Sequence, residues 1–158
     1  TLKHFPGYGN NADTHVGTTT DNRTYESILN NDIPPFDAGI HAGCEAVLVS
    51  HNIVTSIDNT NPASLSPSNI LRNRLNFSGI IITDDLAMGA TSSIQNSTIR
   101  ALLAGNDLVI TTDYAQSFSE IKSALNDGTI SEDLVNRVAL RVIAWKYYKG
   151  LIFETNEK

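Results

Sequence analysis

The sequence predicts an α/β fold built on a parallel sheet, and three observations carry that prediction. Residues 46–50 (AVLVS), 79–83 (GIIIT) and 108–112 (LVITT) are short apolar runs rich in β-branched side chains. They lack polar–apolar alternation, as strands do when both faces are covered by helices. Segments with helical patterning separate these runs, and the strand-plus-helix unit recurs at about thirty residues, the spacing of repeated β-α units. There is also an internal echo: "AGCEAVLVS" and "AGNDLVITT" each carry a glycine, then an acidic residue, then a strand.

Taken in order, a first strand is expected to end at Lys3-His4. Helices follow over 24–30 and 34–42, the second with Pro34-Pro35 in its opening turn, where a missing N–H costs nothing. Gly43 fits the position after a helix end, which favours the left-handed conformation open to glycine. After the 46–50 strand a helix is expected over 67–75 with Ser66 as its N-cap, then the 79–83 strand and a helix over 94–104 closed by Gly105. Beyond the 108–112 strand come helices over 114–126 and 132–149. The last has apolar residues at helical spacing: Leu134, Val138, Val142, Trp145 and Tyr148.

Two architectures use this alternation: a closed (β/α)8 barrel and an open doubly wound sheet. No Gly-rich phosphate-binding turn follows any of the strands, which weakens the dinucleotide-binding version. A complete barrel takes about 250 residues. The 158 residues here would therefore supply its later units, and a first residue other than Met is in keeping with a piece of a longer polypeptide. A hydrophobic share of 41% with 18% charged residues belongs to an ordinary globular chain. The net charge of -6 leaves no basic stripe for nucleic acid. No apolar run approaches the roughly 20 residues of a membrane span. Cys44 is single, so no internal disulfide forms and the compartment, cytoplasm or cell envelope, stays open.

Polar, titratable groups recur just after the strands: Lys3-His4, Ser50-His51, Asp84-Asp85 and Asp113. In parallel β/α folds the loops converge at those carboxyl ends and build the site there. Asp84 and Asp85 suit either reaction or helix capping, and strand alternation turns one of them toward the site and the other away. Asp13 and His15 form an Asp-x-His pair in a loop, in which a carboxylate orients an imidazole and favours its protonated form. His51 fits either a strand-end residue satisfied by backbone or a contact to substrate. The four histidines are scattered without metal-ligand spacing, so no metal or cofactor is expected.

"KHFPGYGNNADTH", "LVSHNI", "PASLSP" and "GIIITDDLAMGA", in that order over nearly the whole chain, resemble the β-N-acetylhexosaminidase branch of glycoside hydrolase family 3. The resemblance implies a (β/α)8 catalytic domain whose carboxyl-terminal half is residues 1–158, the upstream half of the barrel being its partner. It implies retaining removal of terminal β-linked N-acetylglucosamine from cell-wall or chitin-derived glycans, without a cofactor. Asp84 maps onto the nucleophile and His15 onto the general acid/base with Asp13 as its partner. Lys3 and His4 map onto sugar-binding positions, and His51 is expected to line the same pocket. Tyr8 stands where the commoner motif has histidine, and the loop is one residue shorter than in that form. The alternatives are a phosphorylase, with phosphate accepting the sugar, and a non-catalytic sugar-binding α/β domain.

Overall fold

The computed structural model describes residues 1–68 and 70–152. Its sheet is four-stranded and parallel. β1 (Leu2–Phe5) lies at one edge, followed by β3 (Ala46–Val49), β5 (Ile80–Asp85) and β6 (Leu108–Ile110). A separate parallel pair joins β2 (Thr20–Asp21) to β4 (Ile53–Val54). All four expected strands are present, and β5 runs on through both aspartates.

Residues 46–49 pair with 80–83 without a break. Ile80 and Ile81 point to opposite faces, yet each is only 1% exposed, so the sheet centre is covered on both sides. Phe5, Val47, Val49 and Ile81 pack with Ile28, Ile33, Ile70, Leu71 and Phe77 into the main core. Among the described residues the sheet does not close into a barrel. β1 and β6 are its edges, and Ile110 on β6 is exposed.

The helices are α1 (Tyr25–Asn31), α2 (Ile33–His41), α3 (Ile70–Asn73), α4 (Ser97–Leu103), α5 (Tyr114–Asn126) and α6 (Glu132–Tyr148). Thr24, Asp113 and Ser131 cap α1, α5 and α6 by accepting a backbone N–H through their side chains. No helix among the described residues is long and apolar enough to cross a membrane.

Two expectations are corrected. The helix expected over 67–75 is limited to α3, with Asn69 outside the described residues. The Ser66 hydroxyl donates to Asp58 at 2.8 Å and accepts from the Ser68 amide at 3.1 Å, and its expected N-cap contact to residue 69 lies outside the described residues. The helix expected from residue 94 begins only at Ser97. Asn96 precedes it in the left-handed conformation, φ 54°. Upstream, the Gly89 and Ala90 amides donate to loop carbonyls instead of to a helical ladder.

The echoed motifs are structural copies. Gly43 (φ 92°) and Gly105 (φ 91°) are both left-handed. Each donates to the carbonyl three residues back, and the next residue, Cys44 or Asn106, donates five back. That is the Schellman ending of a helix. The acidic residues that follow, Glu45 and Asp107, both hold α6. Glu45 accepts from Trp145 Nε1 at 3.0 Å and pairs with Lys149 at 2.6 Å. Asp107, its side chain fully buried, pairs with Arg72 and Arg141 and accepts the Ile81 amide at 2.8 Å. Through these contacts α6 reaches the amino ends of the strands. Nearer its start, Leu134, Val135 and Val138 pack on Ile99, Leu102, Ala124 and Ile130.

Candidate active site

At the opposite, carboxyl end of the sheet, the two consecutive aspartates of β5 divide their work. Asp85 Oδ1 accepts the Ala87 amide at 2.9 Å and turns the chain out of the strand. Asp84 Oδ1 accepts the Asp85 amide at 3.0 Å. Its Oδ2 faces His4 Nε2 of β1 at 3.9 Å, beyond hydrogen-bond reach but close enough for ion pairing. The Asp84 side chain is 19% exposed and that of His4 36%. This is a carboxylate on a rigid strand end, partly sheltered, with one oxygen held and the other turned to a titratable neighbour. Lys3 lies exposed beside His4.

Asp13 and His15 lie in the loop after β1. Asp13 Oδ1 accepts both from the His15 amide at 2.9 Å and from His15 Nδ1 at 2.6 Å. Nδ1 therefore carries the proton in this pair, leaving Nε2 to exchange one. The hydrogen bond His15 donates to the Asp13 carboxylate, then that carboxylate's charge, raise the His15 pKa above the ordinary imidazole value, with smaller contributions from Asp84 and Asp85. His15 in turn lowers that of Asp13, mainly through its amide and then through its ring. Both side chains are exposed.

The loop is nonetheless docked. The Gly89 amide donates to His15 O and the Ala90 amide to Thr14 O, each at 3.2 Å. This seats the loop on the turn that begins immediately beyond β5. A Cβ on Gly89 would stand 2.7 Å from Val16 O and 2.9 Å from His15 O, so a glycine is required at that contact. Where the loop leaves, Arg23 forks onto Asp21 and onto Asp32 at the α1–α2 junction.

His51 departs from the expected pocket-lining role. It is fully buried, with Nδ1 2.6 Å from Ser64 Oγ and Nε2 3.0 Å from Asp85 O. A carbonyl only accepts, so Nε2 donates to Asp85 O and Nδ1 accepts from Ser64. Burial lowers the His51 pKa and keeps the ring neutral. Both nitrogens are thus engaged, Nε2 in holding the Asp85 carbonyl and Nδ1 in holding the Ser64 hydroxyl. Asp113, also at a strand end, is taken up in capping α5. Tyr8, Thr14, Ser64 and Gly89 are the supporting residues that sequence reasoning missed as parts of the site. All four lie inside the quoted motifs, but nothing local in the sequence couples those motifs to one another.

Together these features define a (β/α)-barrel type of domain whose polar groups converge at the strand carboxyl ends. The chain belongs to the glycosyl hydrolase family 3 N terminal domain family, whose pattern it matches over residues 1–145. It is 40% identical over 130 residues to a beta-hexosaminidase of Nitrosomonas eutropha, covering 78% of this chain and 37% of that protein. Over 156 residues it is 35% identical to a beta-hexosaminidase of Actinobacillus pleuropneumoniae serotype 3, covering 92% of this chain and 45% of that one. The chain thus spans less than half the length of these curated relatives. Among solved structures it superposes on a family 3 beta-N-acetylglucosaminidase from Paenibacillus sp. with a TM-score of 0.88 and 26% identity, over 99% of this chain and 33% of the other. The beta-N-acetylglucosaminidase from Thermotoga maritima gives a TM-score of 0.81 and 26% identity over 90% and 33%.

Proposed function

We propose that this chain carries the reacting groups of a retaining glycoside hydrolase that removes terminal β-linked N-acetylglucosamine, and that residues 1–158 are the later part of its catalytic barrel. Asp84 is the nucleophile: Oδ2 attacks the anomeric carbon and forms a glycosyl-enzyme as the leaving oxygen departs. His15 protonates that oxygen through Nε2 and then, as a base, takes a proton from the incoming water. Asp13 holds the imidazole and supports its charged form. His4 and Lys3 bind sugar hydroxyls, and His51 supports the site by holding the carbonyl of Asp85, the residue after the nucleophile. The upstream strands of the barrel supply the remaining walls of the sugar pocket.

One observation carries this reading. The Asp13–His15 pair is docked by backbone hydrogen bonds onto the turn directly beyond Asp84, so acid and nucleophile share one end of one sheet. The beta-hexosaminidase relatives and beta-N-acetylglucosaminidase neighbours support the choice of substrate.

The test uses the full-length gene product with N-acetylglucosaminides of graded leaving-group ability. His15→Ala is expected to lose about 10²–10⁴-fold on alkyl or sugar leaving groups and far less on nitrophenyl ones, whose departure needs no proton. A slow substrate should leave its glycosyl group on Asp84, identified by peptide mass. Equal losses on all substrates, or a label elsewhere, would defeat the assignment. Product analysis in phosphate buffer separates hydrolysis from transfer to phosphate.

A further inference from the structure

Tyr8 touches both halves of the site. Its ring meets that of His4 edge-on, with centroids 5.7 Å apart and planes at 64°. Its hydroxyl hydrogen-bonds to Thr14 Oγ1 and accepts the Thr14 amide at 3.2 Å. Thr14 is fully buried, whereas its neighbours Asp13 and His15 are exposed. The middle residue of the Asp-x-His pair is thus pinned while the two on either side are free to meet solvent or ligand. The pin has two arms. Tyr8 holds the side chain and amide of Thr14, and the Ala90 amide holds its carbonyl.

We propose that Tyr8 is a positioning residue for proton transfer: through Thr14 it keeps the Asp13–His15 pair seated on the turn beyond Asp84, and through its ring it aligns His4 beside the same carboxylate. The physical argument concerns what removal of one hydroxyl leaves behind. Without it the buried Thr14 amide and hydroxyl lose their partner, and an unsatisfied buried polar group is costly. The least costly response is for residue 14 to swing toward water, and it carries His15 with it. Gly89 reinforces the arrangement, since only a residue without Cβ lets the loop backbone lie against that turn. This inference rests on the reading of His15 as the acid/base and adds the device that places it.

The experiment again uses the full-length gene product. Tyr8→Phe is expected to reduce kcat about tenfold on poorly activated leaving groups and about twofold or less on nitrophenyl ones, with KM little changed. Thr14→Val should reproduce that pattern, and Thr14→Ser, which keeps the hydroxyl, should retain most of what Thr14→Val loses. The Tyr8→Phe/Thr14→Val double variant should be no worse than the poorer single, because both cut the same link. Amide exchange at Gly89 and Ala90 should quicken in Tyr8→Phe while the amides of β3 and β5 keep their protection. Losses independent of leaving group, additive losses in the double variant, or unchanged exchange at Gly89 and Ala90 would each overturn the proposal. If His15→Ala itself shows no leaving-group dependence, the acid role falls, and quickened exchange at Gly89 and Ala90 still upholds the Tyr8 clasp.

Discussion

The two ends of the sheet treat acidic residues in opposite ways. At the amino end Asp107 is sealed from solvent, paired with two arginines and hydrogen-bonded to the Ile81 amide. Glu45 at the same end is held by Trp145 and Lys149. At the carboxyl end Asp84 has its own neighbour's amide and a histidine at 3.9 Å, while the Asp13–His15 pair is open to water. The amino end uses its charges up in holding α6. The carboxyl end uses Asp85 in a turn and Asp113 in a cap but leaves Asp84 and the Asp13–His15 pair available, which a reacting group requires. Charge at a strand end is therefore no sign of chemistry until its partners are known.

Four substitutions probe the contrast between the two ends of the sheet. Asp84→Asn in the full-length gene product should lower turnover by about 10³-fold or more, since a neutral amide cannot be the nucleophile, with no loss of thermal stability. A substantially active variant would place the reacting group elsewhere. Asp107→Asn should do the reverse, costing about 3 kcal/mol of stability because two arginines lose a buried counter-charge. Its kcat should stay near the parent value below the unfolding transition. Denaturant unfolding and steady-state kinetics read both quantities.

Asp13→Asn is expected to move the alkaline limb of the pH–rate profile to lower pH. The sign follows from the raised His15 pKa: the carboxylate favours the protonated imidazole, so its removal lets the acid form disappear earlier as pH rises. An unshifted limb would detach Asp13 from the acid. The smallest change belongs to Glu45→Gln. Its partners are partly exposed and salt screens such pairs, so the unfolding midpoint should fall less than in Asp107→Asn. The difference from the parent should also shrink as ionic strength rises, whereas that of the buried Asp107 variant should persist.

Much of this architecture was legible in the chain. The apolar runs gave the positions of β3, β5 and β6, and the two Gly-plus-acid motifs marked where helices end before them. Those signals are local: strand burial, Schellman glycines and capping side chains act within a few residues of one another. The helix expected over 94–104 starts only at Ser97 because Ile94 is bonded in a turn to Thr91 and Asn96 takes the left-handed conformation, a break that apolar periodicity does not reveal.

By itself the sequence determined the alternation of strands and helices, the polar groups at strand ends, and the pairing of Asp13 with His15 two residues apart. Which of those groups stay available depended on how distant segments packed around them. The tertiary structure buried His51 against the Asp85 carbonyl, drew Asp85 into the turn while Asp84 Oδ2 faces His4, tied Tyr8 to Thr14, and joined Glu45 to Trp145 across 100 positions. The reason is physical. Local backbone preferences act on neighbouring residues, whereas the burial and hydrogen-bond partners of a titratable group are fixed only when distant segments close around it.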